Sequence, residues 1–553
     1  MRVQKTNADL KVLAIAGTYV VGLGFNLSKS KCTGLLGFSI QRKDHETNDT
    51  RFIQGMKCFA ETDPGFPPGA SYSSEEHPIQ SFQWADYTAY PGKTYTYVIT
   101  ALKGTPTNLQ ILAKTSVKVK TESPTSGDQD VYFNRGVAAS QEYVRRFGDK
   151  EPDDPSLGRT AFNWLSRGLF KAMEDFINSC EPGKHELRIA AYEFNSEDLL
   201  GLIKKVSKNG VKIKIVYDAQ KAIPGDGNRA AIKKFKLTAI SKPRTAGSYI
   251  SHNKFIVKLE NGKAVAVLTG GTNFSRGGIY GHSNVAHVVE NEKVANKFLQ
   301  YWELLHDDLE VPAMKEAVEE LSPLSEGQTV EGISIIFSPR KSLKALHYYA
   351  DIAKEAQGGL FMTFAFGMNE TFKDVYRESA APLRIALLEK ATRPMKKNSP
   401  EHIAELKAIQ KLRNMPENVF AIGDFVRTNE LDGWVKESLS GLNKNVRYIH
   451  NKFMLVDPLA DDPIVVAGSA NFSNASTLNN DENMLIIRGN TRVADIYLGE
   501  FMRLWKHHAF RESLQWRQGS QSPKPLRTDD WWRESFGDTE NSSRRKYFAQ
   551  VNE

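Results

Sequence analysis

Two hydrophobic rhythms divide the chain. Over about the first 120 residues, apolar and polar positions alternate in short runs at 35–40, 82–87, 94–102 and 116–120. Turn signals such as Pro91-Gly92 and Gly104-Thr105-Pro106 separate these runs. In 94–99, Tyr95, Tyr97 and Ile99 share one face while Thr94, Thr96 and Val98 share the other, as a half-buried strand requires. The apolar run at 12–25 reads as a first buried strand. Arg2, Lys5 and Lys11 ahead of it imitate an export signal, but Asp9 intervenes, Thr18, Gly22 and Gly24 interrupt the run, and no A-x-A-like site follows. Residues 1–121 are therefore expected to form a β-sandwich, and the polar stretch 122–130 opens a linker and lead-in that extends to 160.

The period then changes. An amphipathic helix is predicted at 162–180 and a strand at 187–194. Asn195 or Ser196 caps a helix that stops at Asn209-Gly210, and a second strand follows at 211–218. Alternation on this scale predicts an α/β layered fold with both sheet faces covered. It also occurs twice. Residues 360–366 parallel 187–194, and 383–388 parallel 211–217. Tyr448-Ile449-His450-Asn451-Lys452-Phe453 repeats Tyr249-Ile250-Ser251-His252-Asn253-Lys254-Phe255 with one residue dropped. Two copies of one α/β lobe, 161–325 and 326–515, packed face to face, explain this self-similarity. A charged, helix-like insert at 390–413 lengthens the second copy, and 516–553 remain as a tail in which Trp531 and Trp532 suggest docking or capping.

Composition narrows partners only slightly. A length of 553 residues exceeds one compact core. The net charge of +8 favours anionic partners without choosing between nucleic acid and an anionic lipid surface. Three cysteines, none in CxxC spacing, argue for a reducing compartment, and a cytoplasmic location is expected. No run reaches the ~18 apolar residues of a membrane-spanning helix.

The duplicated segments carry the chemistry. His252 and Lys254 are followed by Asn273 and Ser275, and His450 and Lys452 by Asn471 and Ser473; the His-to-Asn interval is 21 residues in both copies. Asn284 and Asn483 come further on, and Phe298 with Trp302 and Phe501 with Trp505 close the copies. His and Lys two apart on a strand project from one face while the Asn between them points away. The small residues Thr269-Gly270-Gly271 and Gly468-Ser469-Ala470 suggest close approach of backbone to a ligand. Each half thus offers an imidazole, an ammonium and a carboxamide, and two halves make a cationic pocket suited to a phosphodiester. No second copy of the chain is needed for a complete site. There is no HExxH and no carboxylate cluster with ligand spacing, so no metal or other cofactor is implied, and His282, His287, His507 and His508 read as surface or packing residues.

His450-Asn451-Lys452-Phe453-Met454-Leu455-Val456-Asp457 fits HxKxxxxD and resembles the signature of the phospholipase D superfamily. Gly468-Ser469-Ala470-Asn471 resembles its GSxN companion, and Asp481-Glu482-Asn483 its acidic-plus-Asn element. The resemblance covers about 162–510. Aromatics ahead of Pro91-Gly92, then Tyr95 and Tyr97, resemble a fibronectin type III or immunoglobulin-like sandwich. The first copy departs from the signature: Leu259 stands where Asp is expected, with Glu260 one place later, and Ser283 stands opposite Glu482. The family resemblance implies a phosphodiesterase that works through a covalent phosphohistidine. By the same resemblance His252 is the nucleophile and His450 the acid, with the reverse open. Lys254, Lys452, Asn273 and Asn471 would hold the phosphoryl oxygens, and Asp457 and Glu482 would orient the histidines. The substrate implied is a phospholipid, with peripheral membrane contact open; a nuclease and an inactive phosphate-binding module are the alternatives.

Overall fold

The computed structural model describes residues 1–553 except 8, 64–69, 126, 137–139, 149, 247–248, 326–330, 424–448, 516–523 and 552–553. The first segment forms two four-stranded antiparallel sheets. One runs Arg2–Asn7, Leu10–Ala16, Val21–Asn26, Gln83–Asp86; the other runs Asn108–Lys120, Thr94–Thr105, Leu35–Asp44, Thr50–Phe52. Their facing side chains, Val12, Leu23, Phe38, Tyr97 and Val117 among them, form one core. The alternation of Tyr95, Tyr97 and Ile99 is as expected, since all three are fully buried. The run at 12–25 is not one strand but a hairpin: Leu10–Ala16 pairs antiparallel with Val21–Asn26. The apolar residues continue through the turn because Val20, too, is buried, which hid the break from the pattern.

Each lobe is built on a seven-stranded mixed sheet of identical order. In the first, the strands run Gln129–Phe133, Val285–Val289, Lys263–Gly270, Lys254–Glu260, His185–Ala191, Lys212–Asp218, Ser241–Arg244. In the second they run Gly332–Ser338, Glu482–Arg488, Ile464–Gly468, Phe453–Val456, Gly359–Phe364, Leu383–Leu388, Asn418–Ile422. The last three strands of each sheet are parallel and the others antiparallel. Gln129–Phe133 lies in the stretch expected to be linker, yet it pairs with Val285–Val289 as an edge strand. Only five residues long, with Val131 and Phe133 inward, it is too short to stand out among polar neighbours.

The helix expected at 162–180 is two, Thr160–Ser166 and Leu169–Asn178. Arg167 and Gly168 between them take positive φ (47° and 87°). Apolar spacing continues across the break, so periodicity alone joined them. Ser196 caps Glu197–Lys208 by accepting from the Leu199 N–H, and Gly210 follows with φ 99°. Helices Glu292–His306 and Thr491–Gln515 carry the Phe-x-x-x-Trp pairs, and all four aromatics are buried. Phe298, Trp302, Phe501 and Trp505 belong to one core that also takes Phe255 and Phe453 from the two central strands. The lobes therefore share an interior. The tail docks as expected: Trp531 and Trp532 enter the sandwich core, and the Trp531 indole donates to the Leu35 carbonyl at 2.8 Å. Gly24 permits this, since a Cβ there would lie 1.9 Å from the Phe548 carbonyl oxygen. Among the described residues, no helix is long and apolar enough to cross a membrane.

The break at Arg167 has a visible purpose. It delivers the guanidinium to Glu500 of the long second-lobe helix at 2.5 Å, and Glu500 also holds Arg503 at 2.9 Å. All three side chains are buried. Replacing Glu500 with Gln leaves two buried guanidiniums short of their carboxylate, and urea unfolding should show a loss of about 3–5 kcal/mol. A loss under ~1 kcal/mol would show that the pair does not hold the lobes together.

Candidate active site

The His-x-Lys segments stand where each lobe leaves its own sheet. Ladder pairing of the central strands begins only at Lys254 and Phe453, so His252 and His450 precede the strands rather than lying on them, as the spacing suggested. Their backbones pair with the opposite lobe instead. The His252 N–H donates to the Asp481 carbonyl at 2.9 Å, and the Asp481 N–H to the Ile250 carbonyl at 3.0 Å. Ile449 forms the matching bridge to Ser283, and the His450 N–H donates to the Ser283 hydroxyl at 3.4 Å. Each histidine is thus placed by both lobes. The alternation of the segment survives: Asn253 turns from the site and accepts from the Asn483 amide at 2.8 Å while donating to the Tyr301 hydroxyl at 3.1 Å.

Side-chain support is also exchanged. His252 Nδ1 lies 2.8 Å from Glu482 Oε2, so the carboxylate expected to serve the second half holds the imidazole of the first. Glu482 is itself fixed by the Ser476 hydroxyl at 3.0 Å and the Asn480 amide at 3.2 Å. His450 Nδ1 lies 2.9 Å from Asn284 Oδ1, and Asn284 is oriented by its amide nitrogen donating to the Gly278 carbonyl at 2.8 Å. The Ser283 difference therefore weakens the support of His450, not of His252. Asn483, meanwhile, accepts from the Thr269 hydroxyl at 2.7 Å.

The histidine rings stand edge to face with centroids 6.4 Å apart. Both Nδ1 atoms are occupied, and neither Nε2 has a hydrogen bond among the described residues. Both lysines are buried, each donating to the carbonyl of its own histidine, and neither forms an ion pair among the described residues. The amide oxygens of Asn273 and Asn471 are buried with no partner among the described residues. Ser275 donates to Glu193 at 2.5 Å, whereas Ser473 caps the short helix Asn474–Leu478 and serves the site only through it.

Burial makes the pocket resist charge. It depresses His252 to about 4, against the opposing pull of Glu482, and Lys254 to about 7, against Glu482, Glu193 and Asp218. His450 is pushed well below the usual range by burial, then by Lys452, His282, Lys254 and His252. Lys452 is likewise depressed, by burial and then by Lys254. Burial raises Glu482, but the pairing with His252 and the Lys254 charge outweigh it and hold the carboxyl below its ordinary value.

One expectation fails on geometry. Asp457 touches neither histidine. It lies past the far end of Phe453–Val456, where its carboxylate accepts from the backbone N–H groups of Gln357, Gly358 and Gly359 at 2.7–2.8 Å. Glu260, its offset counterpart, pairs with Lys184 at 3.0 Å on the surface, and Leu259 is buried beyond a register shift. The small residues also serve packing: a Cβ at Gly468 would meet the Asn483 carbonyl oxygen at 2.2 Å, and one at Gly270 the Val285 carbonyl oxygen at 2.4 Å.

Three residues outside the duplicated motif also line the site, and of these Tyr192 and Glu193 carry no spacing signal. His282 stacks on His450 with centroids 5.3 Å apart, so it packs, but inside the site. Tyr192 meets His252 edge to face at 4.8 Å and lies beneath Lys254 Nζ at 5.0 Å. Glu193 follows it. The available signal was their position at the carboxyl end of His185–Ala191, where open α/β sheets bind ligands. Among the described residues, no cluster of three or more His, Cys, Asp or Glu could hold a metal ion.

Comparison with known proteins places both lobes. The family described as "Cardiolipin synthase, PLD-like domain" matches residues 173–305 and 360–505, half of the chain. Among solved structures, the chain is similar to phosphatidylserine synthase of Haemophilus influenzae Rd KW20 (12% identity, TM-score 0.45, 63% of this chain and 88% of that one). It is also similar to the phospholipase D family member Nuc of Salmonella typhimurium (28%, 0.22, 25% and 87%). A third is yeast tyrosyl-DNA phosphodiesterase (14%, 0.33, 56% and 84%). No curated protein matches the chain.

His287 provides a clean test of this burial electrostatics outside the chemistry. It is buried between the Tyr497 hydroxyl (3.3 Å) and Gln129 (3.1 Å), and burial depresses it to about 3. Below about pH 6.5 the unfolded chain takes up a proton there that the folded chain refuses until about pH 3. Stability from this residue is therefore present above 6.5 and lost as pH falls. In His287→Gln, the fall in unfolding free energy between pH 6 and 4.5 should be shallower by about 1.4 kcal/mol per pH unit. Equal slopes from urea titrations of both proteins would contradict it.

Proposed function

The chain belongs to the phospholipase D-like domain family, and from that premise we propose that it hydrolyses a phosphodiester through a covalent phosphohistidine, with a phospholipid as substrate. The observation that carries this reading is the pair of buried imidazoles, centroids 6.4 Å apart, each with Nδ1 held and Nε2 without a hydrogen bond among the described residues. In-line displacement needs reacting atoms about 3–3.5 Å apart on either side of phosphorus, a span that the two rings bracket.

Glu482 makes His252 the better nucleophile. Its carboxylate accepts the Nδ1 proton, which leaves the Nε2 lone pair to attack phosphorus and stabilises the charge that develops on the ring. His450, backed only by a neutral amide, is suited to pass protons. It gives its Nε2 proton to the departing ester oxygen, leaving an N–P bond on His252 and a free alcohol. It then takes a proton from water, whose oxygen attacks phosphorus and releases His252 with a phosphate monoester. Burial first, and then the charges of Lys452, His282 and Lys254, disfavour a proton on His450. A bound phosphodiester anion offsets that charge, so substrate itself restores the proton the acid must carry. Lys254, Lys452 and the amides of Asn273 and Asn471 hold the non-bridging oxygens, where fixed donors favour the transition state.

The phospholipid reading is supported by exposed side chains flanking the site segments: Tyr249 just before His252, Phe366 just after Gly359–Phe364, and Ile223 at the start of helix Ala222–Lys234. Ile223, Tyr249 and Phe366 are 79%, 61% and 38% exposed, and Lys221 lies over the Tyr249 ring. Apolar tips beside lysine suit the edge of a lipid surface.

His252→Ala and His450→Ala should each reduce cleavage of bis(p-nitrophenyl) phosphate by at least about 10³-fold with chelator present. Full activity in both variants would sink the assignment. Headgroup release from mixed phospholipid vesicles should exceed cleavage of single- or double-stranded DNA, and the reverse order would replace the lipid reading with a nuclease. Glu482→Gln should lower kcat by about 10²–10⁴-fold with the fold intact, as removal of the carboxylate behind a catalytic imidazole does elsewhere. An effect under tenfold would remove Glu482 from the mechanism.

A further inference from the structure

The duplication breaks at one pair of equivalent positions beside the phosphate pocket. Ile189 pairs with Ile256 and Met362 with Met454 across the central strands. His252 and His450 lie four residues before those partners, and Glu193 and Phe366 four residues after Ile189 and Met362. Counted from these pairs, the two half-sites carry a carboxylate and a phenyl ring at equivalent positions of the duplicated segment, each just past the end of its strand. Glu193 is half-buried, and its Oε2 accepts from Ser275 at 2.5 Å. Its Oε1 has no hydrogen bond among the described residues, and it forms no ion pair with either lysine, although both Lys254 and Lys452 feel its charge. Phe366 is 38% exposed.

A carboxylate lining a pocket for an anion opposes binding of the phosphate itself, so its place there calls for another ligand group. The adjacent Tyr192 ring already faces one cation, Lys254. What remains is a hydrogen-bond acceptor fixed by Ser275. We propose that Glu193 is a specificity-determining residue that accepts a hydrogen bond from a hydroxyl or primary ammonium group on one substituent of the phosphodiester. Phe366 receives the other, apolar substituent. The substrate class is then a diester with unlike arms, and it enters in one orientation. This rests on the phosphodiester reading of the same site.

Calorimetry with two small diesters tests it without turnover. The protein should bind 2-aminoethyl ethyl phosphate at least about tenfold more tightly than diethyl phosphate. Glu193→Gln, which keeps the size and the Ser275 contact, should bring that ratio close to one with an unchanged melting temperature. Glu193→Asp, which keeps the charge, should retain part of the preference. A ratio near one in the unaltered protein, or a ratio unchanged in Glu193→Gln, overturns the inference and leaves the phosphodiester reading standing. Failure of both diesters to bind overturns the two together.

Discussion

The hydrogen bond between His252 and Glu482 joins the two lobes at the point where the chemistry is centred. Glu482 is fixed within its own lobe by Ser476 and Asn480, and it in turn fixes a ring of the other lobe. The His252 backbone is tied to Asp481, and its ring is tied to the next residue, so one short second-lobe segment fixes both. The reciprocal contacts of Ile449 and His450 with Ser283 and Asn284 complete the exchange. A site assembled this way exists only when the lobes are seated, which accounts for the shared core of Phe255, Phe453 and the two Phe-x-x-x-Trp helices. The buried Arg167–Glu500–Arg503 group acts in the same direction, tying the broken first-lobe helix to the long second-lobe helix.

The cost of this arrangement is electrostatic. Two lysines and two histidines are buried within a few ångströms of one another, with Glu482 the carboxylate in direct contact with a histidine. Burial alone would strip their protons, and the directions for His252, His450, Lys254 and Lys452 are all downward. In the proposed reaction a phosphodiester monoanion would offset the charge of these groups.

Much of this was legible in the residues. Matched intervals from His252 to Asn273 and from His450 to Asn471 identified two equivalent half-sites, and the alternating β and α/β periods placed the three layers of the chain. What was not legible follows from physics that spacing does not carry. Backbone exchange between lobes is a tertiary contact, so the sequence pointed Glu482 at the wrong histidine. Asp457 fits a signature, but the strand carries it away from the site, where it binds the backbone at Gln357–Gly359. Helix periodicity runs unbroken through Arg167 because the left-handed turn there is specified by a buried ion pair rather than by a loss of apolar residues. Glu193 carries no motif at all, and its contact with Ser275 is visible only in the fold.

The central claim is that the carboxylate-backed imidazole is the one that takes the phosphoryl group. Rapid alkaline quenching during turnover, followed by peptide mass spectrometry, reads this directly, because a phosphohistidine survives base. With bis(p-nitrophenyl) phosphate, whose leaving group departs without an acid, the account predicts an adduct on the peptide containing His252, its accumulation in His450→Ala, and none on the peptide containing His450. An adduct on His450, or sustained turnover with neither histidine modified, would contradict it.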